Sequence, residues 1–241
     1  MFFLVGYITN IQHQSGLIME DFTVSNLDNH LAKPKARTSW IFEIFQIPQL
    51  GNGARVRCES HIEHDFVLKC IFDPKVKYIK GDLDSIQSEE LGRRYTPDDQ
   101  IYHTEDGFVN IDCRSKRFMP EGKAWHKYEL LEKEYEYNDG KFKVVLDTDI
   151  REGYLIQNLK RLFPYLSMAP PSSEELAIIY NCLDSSSPLP LEVLQKKVSR
   201  KGGDIRSILY ALAHKLIQTD LTQYINRRSL IRRDSHAVQE K

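Results

Sequence analysis

Apolar and polar residues change period several times along the chain, and each change marks an element. Aromatic and β-branched residues crowd Ser39 to Pro48, and Gly51-Asn52-Gly53 supplies a turn before Ala54-Arg55-Val56-Arg57, which predicts two strands across residues 37–57. The period then lengthens. Ile62, Phe66 and Cys70, with Val67 and Ile71 one step on, recur at helical spacing until Asp73-Pro74 stops the run. This predicts an amphipathic helix over 59–72 whose outer face carries Glu59, Glu63 and His64. Val76 to Ile79 reads as a short strand, and Gly81 to Leu91 as an acidic, irregular connection.

A hairpin follows. Arg94 to His103 and Phe108 to Phe118 are two alternating runs on either side of Thr104-Glu105-Asp106-Gly107, an Asp-Gly turn. Residues 121–137 are charged and aromatic at helical spacing. Lys141 to Ile150 reads as a strand of the mostly apolar kind found in a sheet covered on both faces. Asp149 is placed to cap a helix through Leu155, Leu159, Leu162 and Phe163.

Met168-Ala-Pro-Pro-Ser-Ser separates strongly periodic segments and is the best domain boundary, dividing 1–168 from 169–241. Three helical patterns follow, Ser173–Leu183, Leu189–Val198 and Asp204–Leu216. Two extended runs close the chain, Thr219–Gln223 and Ser229–Arg233. Three helices and a basic hairpin is the layout of a winged-helix domain.

The chain has 241 residues, 41% of them hydrophobic and 28% charged, which excludes a disordered or rod-like molecule. Its formal net charge of −1 conceals an uneven distribution: residues 1–150 carry a balance of −6 and residues 151–241 a balance of +5. Four cysteines without a Cys-x-x-Cys pair, and no secretory leader, point to a reducing, cytoplasmic setting. The apolar start, Met1 to Ile8, is far shorter than the ~20 residues needed to cross a bilayer and reads as an edge strand or an ill-placed start rather than an anchor. Cys58, His61 and His64 fall at three-residue steps, but no second ligand pair at finger-like spacing follows.

The candidate chemistry is acidic. Side chains two apart on a strand share a face, so Asp112, Arg114 and Lys116 are expected to point the same way, with Asp98 opposite on the partner strand and Glu63 closing the cluster from the helix. Three carboxylates beside one or two cations can hold Mg²⁺, which takes few hard oxygen ligands and completes its shell with water. Such a site can activate water against a phosphodiester. The same residues read equally as charges on a solvated hairpin.

Glu63 within Cys58-Glu-Ser-His-Ile-Glu-His-Asp-Phe66, then Phe72-Asp-Pro-Lys-Val76, Tyr95-Thr-Pro-Asp-Asp99, Val145-Leu-Asp-Thr-Asp-Ile-Arg151 and Asn158-Leu-Lys-Arg-Leu162 resemble, in consistent order over about 34–168, the TnsA family of transposase endonuclease subunits. Residues 169–241 are similar to that family's helical second domain. The resemblance implies an α/β fold: a restriction-endonuclease-like core, a mixed sheet flanked by helices, followed by a small winged-helix-like domain. It implies a Mg²⁺-dependent endonuclease, with Mn²⁺ an alternative ion, that hydrolyses double-stranded DNA at the 5′ ends of a transposon. The integrase-like subunit TnsB and the ATP-using regulator TnsC are its implied partners.

Carried over by position, the helical Glu falls on Glu63, the Pro-Asp acid on Asp98, and the third element on Asp112-Cys113-Arg114. Arginine stands where the family has lysine, and a guanidinium cannot lose its proton. Either Lys116 substitutes or Arg114 clamps the phosphate. The family's Gln-Pro is replaced by Lys80-Gly-Asp-Leu-Asp84, and Asp99 stands where an aromatic packs. These departures keep a second class open, a non-catalytic adaptor linking transposition proteins. Lys196-Lys197, Arg200-Lys201, Arg227-Arg228 and Arg232-Arg233 cluster in the second domain and suit either DNA backbone or a protein partner. Trp125, His126 and Tyr128 are expected to be packing and rim residues.

Overall fold

The computed structural model describes residues 43–46, 55–89, 91–119, 122–183 and 187–233. Every described residue lies within one compact unit, Ser39–Lys241. The edge strand expected at Met1–Ile8 and the Gly51–Gly53 turn fall outside the described residues. Strands β1 (Glu43–Gln46) and β2 (Arg55–Cys58) pair antiparallel.

Helix α1 (His61–Ile71) starts where Ser60 accepts a hydrogen bond from the Glu63 N–H at 3.2 Å. It ends before Asp73, whose side chain accepts from the Lys75 N–H at 2.9 Å and turns the chain into β3 (Val76–Lys80). The expected irregular stretch 81–91 instead contains β4 (Ile86–Ser88), paired antiparallel with β5 (Arg93–Tyr95). The first hairpin arm is likewise interrupted. Pro97 has no N–H to give a ladder, so the run breaks at Thr96–Asp98 before β6 (Asp99–His103). Strand β7 (Gly107–Arg114) returns after a three-residue loop, with His103 opposite Gly107 and Gly107 at φ +76°, a value glycine accepts without strain.

Helix α2 (Lys123–Tyr137) leads to β8 (Phe142–Leu146), which runs parallel to β7 and completes a mixed sheet of order β3-β6-β7-β8. Helices flank this sheet. Val67, Cys70 and Ile71 of α1 join Ile79, Ile111 and Cys113 in the main core. Tyr128, Leu131 and Tyr135 of α2 pack with Phe142 and Tyr95 in a second cluster, the Tyr135 ring stacked on Phe142 at 5.3 Å. Strand β7 is therefore covered on both sides, which is why Ile111, Asp112 and Cys113 are all buried in succession.

The strand expected to reach Ile150 stops at Leu146, and α3 (Asp147–Ile150) begins there. The Asp147 carboxylate accepts from the Ser115 hydroxyl (2.8 Å) and the Lys116 N–H (2.9 Å), which ties this turn to the end of β7. Asp149 lies inside α3 and does not cap the next helix; α4 (Leu155–Leu166) follows Tyr154, which makes no side-chain cap.

After residue 168, Ser172 and Glu175 form a capping box that opens α5 (Ser173–Cys182). Next come β9 (Leu189–Pro190), α6 (Leu191–Arg200), α7 (Ile205–Ala213), β10 (Ile217–Gln218) and β11 (Leu230–Arg233), the strands forming a small sheet of order β10-β11-β9. The expected strand Thr219–Gln223 is a loop. Buried Asn158 of α4 claims it, donating to the Leu221 (2.8 Å) and Gln223 (2.7 Å) carbonyls and accepting from the Ile225 N–H (3.1 Å). One hydrophobic core runs from α1 through α4 into α5, α6 and α7. Among the described residues no helix is long and apolar enough to cross a membrane.

Candidate active site

The site lies where β7 ends between the two helical layers. The Asp98 N–H donates to the Ile111 carbonyl at 2.9 Å, so Asp98 sits beside β7 as the hairpin pattern requires. Its Oδ2 accepts from the Cys113 N–H (2.7 Å) and from Arg114 Nη1 (2.9 Å). Arg114 Nη2 donates to Asp112 Oδ1 at 2.7 Å, and Nε donates to the Tyr128 hydroxyl at 2.8 Å. One guanidinium thus bridges two carboxylates and a phenol, using the fixed fork that lysine lacks.

The two acids differ in environment. Asp112 is fully buried, and its Oδ2 has no hydrogen-bond partner. The Tyr95 hydroxyl is buried beside the Asp112 carboxylate, within reach of a hydrogen-bonding interaction with it. Burial and the Asp112 charge push its ionisation far up. Asp98 is partly open, with a side chain 19% exposed. Burial first, then the charges of Asp112 and Glu63, push its carboxyl up to about 7, against the pull of Arg114. Asp99, where an aromatic was expected from the resemblance, is buried at 2% exposure, and desolvation first, then the charges of Asp98 and Glu63, push its carboxyl well above the usual carboxylate range.

Glu63 approaches from α1. Its Oε2 accepts from the Glu59 N–H at 2.6 Å, so it also helps to cap the helix. Burial raises its pKa, and the Arg114 charge works the other way. Its expected fully outward position is therefore corrected to a half-buried one near Asp98 and Arg114. Lys116 is a further correction. Strand β7 stops at Arg114, and Lys116 opens a short 3₁₀ turn with an exposed side chain, so the two-residue alternation never reaches it.

Helix α2 adds two residues that the sequence placed among packing positions or left out. Tyr128 holds Arg114. The Lys127 ammonium lies 4.6 Å from the ring centroids of both Tyr95 and Tyr128, a cation–π arrangement. Burial lowers the Lys127 pKa, with Asp112 and Arg114 acting on it in opposite directions. No sequence spacing links residues 95, 114 and 127. The available signal was the aromatic-basic run Trp125 to Tyr128 on a helix following the hairpin. Trp125 itself is half-buried against the second cluster, and His126 is exposed.

Among the described residues, no group of three or more His, Cys, Asp or Glu side chains is placed to hold a metal ion. The carboxylates left for a cation are two, Asp98 and Glu63, because Asp112 is enclosed and held by Arg114. A two-carboxylate set suits Mg²⁺, which is commonly held by one or two carboxylates, with waters and phosphate oxygens completing the shell. Compared with known proteins, the chain matches no family model and no curated protein.

Proposed function

We propose that the chain is a metal-dependent DNA endonuclease subunit of a transposase, hydrolysing phosphodiester bonds at the 5′ ends of a transposon. The observation that supports this most is the meeting of Asp98, Asp112 and Arg114 at the end of β7, with Glu63 beside them, in the Pro-Asp then Asp-x-Arg order that resembles TnsA. The mixed sheet between α1 and α2 is compatible with a restriction-endonuclease-like core. The three helices and small sheet after residue 168 fit a winged-helix reading.

In this reading Glu63 and Asp98 hold a Mg²⁺ or Mn²⁺ ion. Such an ion, when bound, supplies Lewis acidity to the phosphate and lowers the pKa of a coordinated water. The protein residues do the rest. Asp98, with a carboxyl near neutrality, loses its proton readily when a cation arrives. Arg114 keeps enclosed Asp112 neutralised and turns its exposed edge toward the phosphate. Lys127, not Lys116, brings an ammonium to this end of the sheet. TnsB-like and TnsC-like proteins would be its partners.

The test is cleavage of duplex carrying transposon ends, with partner subunits and Mg²⁺ or Mn²⁺ present. Asp98→Ala should abolish it, and Glu63→Ala should reduce it strongly; full cleavage by Asp98→Ala would sink the proposal. One observation favours the second reading, a non-catalytic adaptor: Arg114 already engages both strand acids. That reading predicts no Mn²⁺ binding and no cleavage by the wild-type chain, with partner assembly intact.

A further inference from the structure

A groove of about 530 Å³ opens on α6, well apart in sequence from the acids above, between that helix, the start of α7 and Arg227. Lys196 and Arg200 stand in it one helical turn apart, and both are exposed. Arg227 faces them from a rigid support. The Ser229 N–H donates to the Asn226 carbonyl (3.1 Å), the Arg228 N–H to Asn226 Oδ1 (2.8 Å), and the Asn226 N–H to the Ser229 hydroxyl (2.9 Å), which fixes a tight turn with Arg227 and Arg228 at its tip. The turn is bolted to α6, because the Leu191 and Glu192 N–H groups donate to the Ser229 and Arg227 carbonyls at 2.8 and 2.9 Å. None of the three cations makes an ion pair among the described residues, although Glu192 lines one end of the groove.

We propose that this groove is a seat for the phosphate backbone of duplex DNA, read without regard to base sequence. Three features choose DNA over an acidic protein segment. The lining between the cations is hydrogen-bonding, Gln195 and Ser199, the residue types that accompany Lys and Arg at phosphates. Only Ile205 is apolar there, whereas a protein-binding groove is anchored on buried aromatic or aliphatic pockets. The cations also sit on a helix and a pinned turn, so little backbone must be ordered on binding.

The absence of base reading follows from α7. In a three-helix DNA-binding layout the last helix lies in the major groove and its outward residues touch the bases. Here α7 packs against α4 as well as α5 and α6, and from Ser207 to Ala213 no residue is exposed. His214, just after it, is paired with the Tyr165 carbonyl at 3.3 Å. From Ser207 onward α7 has no face left to offer a groove, and at its exposed start the Arg206 guanidinium is already paired with Asp204 at 2.7 Å, so DNA binding falls to α6 and the Asn226–Ser229 turn.

This rests on reading the chain as DNA-acting, but not on cleavage, so binding is measured on the full chain in EDTA. A labelled duplex of about 30 base pairs is titrated by fluorescence anisotropy between roughly 50 and 200 mM KCl. Replacing Lys196, Arg200 and Arg227 together by alanine should make the salt slope shallower by about 2.7 log units per log unit of salt, at about 0.9 for each phosphate no longer neutralised. A shuffled duplex should bind as well as the original, and because no free divalent ion is present the result does not depend on whether the chain cleaves. Unchanged slope and affinity in the triple variant would overturn the proposal, as would strong discrimination between the two duplexes. Tighter binding of poly-glutamate than of DNA, lost in the triple variant, would assign the groove to an acidic protein instead.

Discussion

Replacing Arg114 by methionine removes the one cation that Asp98 and Asp112 share. The side chain keeps most of its bulk, so the change isolates charge and hydrogen bonding. Two hydrogen bonds to carboxylates are lost, at 2.7 and 2.9 Å, each worth about 1.5–3 kcal/mol. Asp112 is left fully buried without its ion-pair partner, with only the Tyr95 and Tyr128 hydroxyls and the more distant Lys127 charge facing it, a situation that costs about 3–5 kcal/mol. Because the Arg114 side chain is 31% exposed and water can enter its place, the lower part of that range applies, about 3 kcal/mol at alkaline pH. The pH dependence has a definite sign. Asp98 sits near 7 when folded against 3.8 ordinarily, so the native state binds the extra proton, and the Asp98 contribution to stability falls as pH rises between those values and changes no further above them. Without Arg114, which holds Asp98 down, the folded value rises further and the falling window extends upward. Urea unfolding at about pH 5.5 and about pH 8.5 should therefore show a smaller loss at the lower pH. Asp112→Asn should couple to it favourably by about 2 kcal/mol in a double-mutant cycle. A loss under about 1 kcal/mol at the higher pH, or no coupling, would refute the claim that Arg114 neutralises an otherwise uncompensated pair.

Asp65, 4% exposed, accepts from Arg151 Nε at 2.7 Å and pairs with Lys160 at 2.8 Å. Burial opposes its ionisation, but His64, Lys160 and Arg151 outweigh that and hold it well below the usual range. Its contribution is therefore present at neutral pH and lost on acidification; Asp65→Asn should cost about 3 kcal/mol at neutrality, with wild-type and variant unfolding midpoints converging toward low pH. Gly153 has φ +51°, and a Cβ there would run into the Thr222 carbonyl oxygen, so Gly153→Ala should lower stability by about 1–3 kcal/mol in thermal unfolding. Asn158→Ala removes three hydrogen bonds from a fully buried side chain and should accelerate amide exchange across 219–226 relative to the β-sheet; unchanged exchange there would show that the loop is held by other interactions. Lys127→Met should reduce cleavage at least tenfold while Lys116→Met leaves it within threefold, read as kcat in single-turnover assays, and the reverse order would return the ammonium's role to Lys116.

Part of the site could be read from order along the chain. An Asp-Gly hairpin brings Asp98 next to residues 111–114 whatever else the protein does, and period-2 geometry puts Asp112 and Arg114 on one face. The same alternation misplaced Lys116, because a strand's end depends on what accepts its next N–H, here the Asp147 carboxylate 31 residues away. Tyr128 and Lys127 carried no readable tie to Arg114, since helix α2 meets the sheet through tertiary contacts alone, packing on Phe142, Val144 and Leu146 and bonding Arg114 through Tyr128. Asp65 stood on the helix among apolar residues with no hint of Arg151 or Lys160.

The sequence by itself determined the type and order of most local elements and the Gly107 turn, consequences of neighbouring side chains and backbone geometry. It also determined that acids and a guanidinium would meet at the hairpin. Tertiary structure alone decided how they meet. Coverage of β7 by α1 on one face and α2 on the other enclosed Asp112, lifted Asp98 toward neutrality and placed the Asp99 carboxyl in the core with its pKa pushed up. It likewise turned an expected strand at 219–223 into a loop, because Asn158, far away in sequence, offered its backbone groups better partners than a neighbouring strand did. Burial and pairing at long sequence separation set those outcomes, and no local pattern encodes them.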